Sequence, residues 1–345
     1  MPHPAVCGHC RDHDHARTGG VGVVSRRRRV PVSPVASEIT LRFLAAPTDV
    51  AVDGAVHGGK VLEWIDKAAY ACAVGWSGHY CVTVYVGNVH FSRPIASGHL
   101  VEVHARLINT GRSSMDIQVT VSSADPQVGD FSLATTCLVI FVAVDGEGRP
   151  TAVPTWAPRT SLEQRLQANV LERVQLRADI EAAMKEQQYT EAGTAPQVTL
   201  RFLAAPTDVN WGGKVHGGTV MRWIDEAAYA CGANWSGGEC IATYSGGVRF
   251  YRPILIGHLV EVTARLLRTG RTSMHISVHV SSGDPKAPQM RLTTHSLTVF
   301  VALGEDKRAR QVPRWRPVSA EDKALEAHAL HLIDVRSRAA QPPLQ

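Results

Sequence analysis

Leu41-Arg42-Phe43-Leu44-Ala45-Ala46-Pro47-Thr48-Asp49-Val50 recurs without a change at Leu200 through Val209, 159 positions later. The same displacement pairs His57 with His216, Asp66 with Asp225, Arg93 with Arg252, Gly111 with Gly270, Phe141 with Phe300 and Trp156 with Trp315. The register runs without a gap for about 135 residues, with roughly two thirds identity in its first part, the mark of one domain duplicated rather than of a short-period solenoid. It divides the chain into a first domain over 41–178 and a second over 198–337. A Glu-, Gln- and Ala-rich linker over 179–197 joins them, with a tail over 1–40 and a short one over 338–345.

The composition is that of a globular chain. The 345 residues, 44% apolar and 19% charged, hold enough apolar material for two cores. The formal charge of +5 is concentrated in residues 1–40, where Arg11, Arg17 and Arg26 to Arg29 face only Asp12, Asp14 and Glu38. That leaves a body near neutrality, which argues against nucleic acid as a partner. Residues 1–40 read as a disordered basic tail. There is no apolar run of about 18 residues for a membrane span and no apolar signal segment behind the early arginines. The seven Cys are odd in number and scattered through apolar stretches, which predicts free thiols in a reducing cytosol. Cys7-Gly8-His9-Cys10 lacks a second CxxC and reads as tail rather than as a zinc site.

Each half predicts the same order of elements. A polar loop leads through His57-Gly58-Gly59 into a helix over 60–75, where Val61, Trp64, Ile65, Ala68, Ala69 and Cys72 fall at helical spacings. Four β runs follow over 81–91, 100–109, 114–122 and 133–144, separated by Arg93-Pro94, Gly98, Thr110-Gly111 and Asp125-Pro126. A second helical stretch closes each half, over 161–183 and 320–338. One buried helix against a long antiparallel sheet is an α+β design.

No nucleophile elbow, phosphate-binding loop, dinucleotide fingerprint or zinc-protease motif occurs, and nothing nominates a Ser or Cys nucleophile. Gly58-Gly59 and Gly217-Gly218 open helices, so their N–H groups serve either a tight entry or a polarised carbonyl. Asp66 sits in a largely apolar helix, where it is either a dipole-stabilising carboxylate or a base sharpened by desolvation.

Pro47-Thr48-Asp49, Val56-His57-Gly58-Gly59, Trp64-Ile65-Asp66, Val82-Thr83-Val84, Phe91-Ser92-Arg93-Pro94, Gly98 and Gly111-Arg112-Ser113-Ser114 together resemble the hotdog-fold acyl-CoA thioesterases. The closer resemblance is to the branch with two fused hotdog domains, and it covers nearly all of residues 41–318. It implies tandem hotdogs, each a long central helix wrapped by an antiparallel sheet, paired into a double hotdog with sites at the interface. It also implies a loop Asn six residues before the His, and a helix Asp from the opposite hotdog. Asn210 meets that pattern before His216, whereas Ala51 stands before His57 and Asp53 occupies another position. Thr83 matches the family's strand Thr, and its counterpart is Ala242.

The resemblance therefore implies one complete site, formed by Asn210, His216, Gly217 and Gly218 of the second half with Asp66 and Thr83 of the first. The reciprocal set, Ala51, His57, Gly58, Gly59 and Asp225, is degenerate. In this reading the Gly-Gly N–H groups stabilise the oxyanion, and Asp66 acts on water as a general base or attacks the carbonyl directly. Asn210 orients water or carbonyl, and His216 is a loop scaffold or a proton carrier. No cofactor and no metal are required. The implied substrate is an acyl-CoA, with Arg93, Arg112, Ser114, Arg252, Arg271 and Ser273 as candidates for its phosphates. The alternative for those arginines is pairing with neighbouring carboxylates. The implied assembly is a homo-oligomer, commonly a trimer of double hotdogs. A non-catalytic acyl-CoA-binding protein and an acyl-thioester hydratase are the competing functions.

Overall fold

Fourteen of the first helix's twenty residues are Ala, Val, Leu, Ile, Trp, Gly or Cys, and this helix is the axis of the fold. The computed structural model describes residues 36–51, 54–190, 192–287 and 289–338, with backbone alone for 336–338. The basic tail as far as residue 35, the Cys7/Cys10 pair, Asp53 and residues 339–345 lie outside the described residues.

The first half runs β1 (Glu38–Leu44), α1 (Gly58–Ser77), β2 (Tyr80–Val86), β3 (Val89–His90), β4 (Leu100–Thr110), β5 (Ser114–Ala124) and β6 (Ser132–Val144). Helices α2 (Ser161–Glu172) and α3 (Val174–Lys185) follow. The second half repeats the order: β7 (Gln197–Leu203), α4 (Gly217–Ser236), β8 (Cys240–Ser245), β9 (Val248–Phe250), β10 (Leu259–Thr269), β11 (Ser273–Gly283), β12 (Arg291–Ala302) and α5 (Ala320–Arg338). Helix α1 buries Val61, Leu62, Trp64, Ile65, Ala68, Ala69, Cys72 and Ala73 and stops at Gly78, whose φ of 67° is left-handed.

Every pairing between named strands is antiparallel, and the two sheets merge into one of twelve strands, β1-β4-β5-β6-β2-β9-β12-β11-β10-β7 along its main path. The seam is made where β2 pairs β9 and β3 pairs β8. Beneath it α1 and α4 pack side by side and antiparallel. Gly59 lies against Arg222 and Asp225, and Gly218 lies against Glu63 and Asp66. A Cβ at either glycine would sit 2.8 Å from the facing Cα, so the helices approach this closely only because these positions lack one. One apolar core, from Ile65 and Phe141 to Ile224 and Phe300, spans both halves.

Several elements depart from the sequence-based expectation. Strand β1 was not anticipated, and it begins at Glu38, inside the segment read as tail. Its alternation packs the half-buried Ile39, Leu41 and Phe43 against the core while the residues between them face out. The run 81–91 is two strands, because the chain crosses the seam at Gly87-Asn88. The helical stretch 161–183 is two helices, the first opened by a Thr160/Glu163 capping box and ended at Arg173, where ψ turns to 1°. Helix α3 continues to Lys185, inside the span expected as linker.

Cys72, Cys81, Cys137, Cys231 and Cys240 are free and buried. Burial pushes the Cys81 thiol up to about 11 and the other four to about 12, which removes them as nucleophiles near neutral pH. Among the described residues no helix is long and apolar enough to cross a membrane.

Candidate active site

Pro206-Thr207-Asp208 forms a short 3-10 turn because Pro presets its first φ and the Asp208 carboxylate accepts the N–H of Ala205. The chain then folds into a loop closed by the Val209–Val215 bridge, and the His216 N–H is held by the Asp208 carbonyl, 3.0 Å away. This delivers His216 as the N-cap of α4 with Gly217 and Gly218 in the first turn. The first half builds the same turn with Asp49 and His57.

At that helix entry stands Asp66, from the middle of α1 and 1% exposed. Its Oδ2 accepts the Gly218 N–H at 2.7 Å and lies 2.7 Å from His216 Nδ1. Its Oδ1 accepts the Thr83 hydroxyl at 2.8 Å. Nδ1 of His216 is also 3.2 Å from the Gly218 nitrogen. The carboxylate is the nearer and the charged acceptor for that N–H, which leaves Nδ1 to carry the proton it donates to Asp66. Nε2 of His216 is buried with no partner among the described residues. Thus the structure brings Asp66, Thr83, His216, Gly217 and Gly218 together across the interface of the halves.

Two details differ from the expected division of labour. The Gly218 N–H is committed to Asp66, so it does not serve an oxyanion; the Gly217 N–H has no acceptor among the described residues. Asn210 serves its own loop: Oδ1 accepts the Gly212 and Lys214 N–H groups at 2.9 and 3.1 Å, and Nδ2 donates to the Val215 carbonyl at 3.4 Å. Its amide also borders the Tyr80 phenol, whose pKa burial raises and the Asn210 contact pulls back.

The reciprocal arrangement is poorer. Asp225 accepts one hydrogen bond among the described residues, from the Gly59 N–H at 2.8 Å. Neither Ala242 nor Ala51 offers a side-chain donor, and His57 makes no side-chain hydrogen bond at its helix cap. With so little to offset burial, desolvation pushes the Asp225 carboxyl up to about 6.

The candidate phosphate ligands divide between the two sites. Arg252 adjoins the Asn210 loop, which is stitched to the following segment by Val215 to Ile254 and Lys214 to Leu255. Arg93 adjoins the first-half loop in the same way, through Val56 to Ile95. The Arg112–Ser114 turn lies at the C-terminal end of α1, where Val153 bonds the Arg112 carbonyl and Trp76 bonds Pro154. That is ten helical residues from Asp66, about 15 Å. The Arg271–Ser273 turn lies by Trp235 at the C-terminal end of α4, about 27 Å along the helix from Gly217. There Arg271 lines a cleft of about 340 Å³ with Arg268 and Arg314. A larger groove beside Arg201 and Trp223, of about 450 Å³, is lined by none of the residues of the Asp66 cluster. The carboxylate pairing considered for Arg93, Arg112, Arg252 and Arg271 does not occur among the described residues.

Sequence reasoning missed Tyr70 and Trp211 at this site. The indole of Trp211 lies flat on the Tyr70 ring, with centroids 4.5 Å apart and planes 7° from parallel. A signal was present, because Trp211 follows Asn210 directly and its counterpart is Val52. Among the described residues no group of His, Cys, Asp and Glu is placed to hold a metal ion.

The profile of the thioesterase superfamily matches this chain twice, over residues 53–129 and 212–288. The human cytosolic acyl coenzyme A thioester hydrolase is 26% identical over 321 residues, 88% of this chain and 83% of that protein. The acyl-CoA thioester hydrolase YciA of Salmonella typhimurium is 34% identical over 120 residues, 34% of this chain and 90% of that protein. Protein VdlD of Helicobacter pylori is 30% identical over 141 residues, 41% of this chain and 80% of its own length. A solved Lactobacillus plantarum structure, provisionally described as an oleoyl thioesterase, superposes with a TM-score of 0.55 at 11% identity. It covers 78% of this chain and 98% of that one, and it shows the fold alone.

Proposed function

The chain belongs to the thioesterase superfamily, and from that membership we propose that it hydrolyses acyl-CoA thioesters at one composite site, the one around Asp66. The observation that carries the single-site reading is the unequal solvation of two equivalent carboxylates. Asp66 is held by Gly218, His216 and Thr83, whereas Asp225 is held by Gly59 alone among the described residues.

Hydrogen-bond capacity assigns the roles. Each carboxylate oxygen has two acceptor positions, and both on Oδ2 of Asp66 are taken. Oδ1 keeps one beside the Thr83 hydroxyl, and that is where a water binds. Asp66 takes a proton from this water as its oxygen adds to the thioester carbonyl carbon, a contribution of about 10²–10⁴-fold. The Gly217 N–H, at the positive end of α4, receives the developing oxyanion. The intermediate collapses with cleavage of the C–S bond, and the proton held by Asp66 passes to the departing thiolate, giving a carboxylic acid and free CoA. Direct attack by Asp66 is disfavoured, since a carboxylate pinned by three donors cannot advance on the carbon without giving them up. Asn210 acts by holding the loop that carries His216 and Gly217. Arg252 and Arg112, the two candidate cations on this side, are the ones we assign to CoA phosphates.

The same reading places the protein in the cytosol, in keeping with five free buried thiols and with the compartment in the human relative's name. It also includes a homo-oligomer. Leu44 and Leu203 are 64% and 57% exposed, and Leu133 and Leu292 are 51% and 42% exposed, so each half offers the same apolar positions to neighbours. Release of CoA thiol from a panel of acyl-CoAs tests the function. Tight binding without thiol release would favour a regulatory binder instead, and a hydrated acyl-CoA product would favour a hydratase.

A further inference from the structure

Four positions at which the halves differ meet at one place. Thr83, Tyr80, Asn210 and Trp211 correspond to Ala242, Glu239, Ala51 and Val52, and the first four all border the Asp66 side of the double hotdog. Trp211 is 70% exposed, yet its ring is not loose. One face stacks on Tyr70, and its edge approaches His216 with centroids 5.8 Å apart and planes at 64°. Tyr70 lies one helical turn beyond Asp66 on α1, so the two side chains share a face of that helix. Tyr70 is itself packed edge-on against Phe141 of the core at 6.1 Å. Behind the loop, Gly212 passes so near Tyr80 that a Cβ there would collide with the ring. Glu239, the counterpart of Tyr80, instead pairs with Lys307 at 3.0 Å.

We infer that Trp211 and Tyr70 form an aromatic clasp that fixes the loop carrying Asn210 and His216 against the helix carrying Asp66. Trp211 is then a positioning residue of the hydrolysis: it touches no reacting atom and acts through His216 and Gly217. The inference rests on the single composite site proposed above. Loss of the stack leaves the loop free to shift by fractions of an ångström, which weakens catalysis through geometry rather than through substrate binding.

Steady-state kinetics of acyl-CoA hydrolysis separate the possibilities. Trp211→Ala is expected to lower kcat about 10-fold with KM within about two-fold, and Trp211→Phe to restore most of kcat. Tyr70→Leu is expected to lower kcat similarly, and the double variant to be no worse than the poorer single, because the two rings act through one contact. A raised KM with unchanged kcat would make Trp211 a substrate contact and overturn the clasp. So would wild-type kinetics of Trp211→Ala, or losses that multiply in the double variant. Trp211 is exposed, so its variants decide the matter even where Tyr70→Leu fails to fold. Asp66→Asn is measured alongside. Turnover spared in Asp66→Asn defeats the composite site itself, whereas turnover lost there but kept in Trp211→Ala defeats only the clasp.

Discussion

Glu63 and Arg222 are the same position of the duplicated domain, 159 residues apart, and they meet each other, with Arg222 Nε 2.8 Å from Glu63 Oε1. The contact marks the pseudo-twofold axis between α1 and α4, where any residue faces its own counterpart. In a symmetric pair this position would set like against like; the fused chain carries opposite charges there. Glu63→Arg places two guanidinium groups on the axis and is expected to cost about 1–3 kcal/mol, since the Glu63 side chain is only 13% exposed. The reversed pair, Glu63→Arg with Arg222→Glu, recovers most of it. Urea denaturation of the two variants makes the comparison.

The unequal environments of Asp66 and Asp225 predict unequal kinetic consequences. Asp66→Asn is expected to lower CoA release by at least about 10²-fold, while Asp225→Asn keeps more than half of it. Thr83→Ala, which removes one of the three donors to Asp66, falls between, at about 10-fold. Equal losses from the two Asp variants would refute the single site.

Asp225 also predicts a pH dependence of stability. Its carboxyl titrates near 6 in the folded chain against an ordinary value of 3.8, so between those values the folded state binds more protons than the unfolded state. Its contribution is therefore present at low pH and lost as pH rises through about 6. Asp225→Asn removes that dependence. Relative to wild type, the variant should be more favourable at pH 7.5 than at pH 4.5 by about 2 kcal/mol. Urea midpoints at the two pH values provide the check.

Two alanine substitutions at the helix crossing separate packing from chemistry. Gly59→Ala and Gly218→Ala each drive a Cβ to within 2.8 Å of the opposing Cα, and each is expected to cost about 1–3 kcal/mol. Only Gly218→Ala displaces the N–H that holds Asp66, so it alone should lower kcat per folded molecule, by about 10-fold or more. Thiol release normalised to folded protein distinguishes them.

Much of this was written openly in the sequence. The exact return of Leu41–Val50 gave the duplication, and the spacing of Val61, Trp64, Ile65, Ala68 and Cys72 gave the central helix. The contrasts Asn210/Ala51 and Thr83/Ala242, set against the family pattern, are the origin of the single-site proposal. Strand β1 escaped because its residues stood out as a repeat before they stood out as an alternation. The break at Arg173 escaped because neither Pro nor Gly marks it. The partner of the Gly218 N–H was beyond reach for a different reason: Asp66 is 152 residues away, and only the antiparallel crossing of α1 and α4 joins them. The Asn210 loop bonds are local turn chemistry, an Asn side chain accepting the N–H two residues on, but the family pattern turned attention to water and carbonyl instead.

The seam between β2 and β9 has a consequence for how the protein comes apart. Strand pairing runs unbroken from β1 to β7, and the main apolar core packs against it, shared by α1 and α4. Neither half can open without stripping the other of its wall, so two copies of an ancestral domain have become one cooperative unit. Calorimetry should record one melting transition, with equal van't Hoff and calorimetric enthalpies, where a string of two autonomous domains would record two.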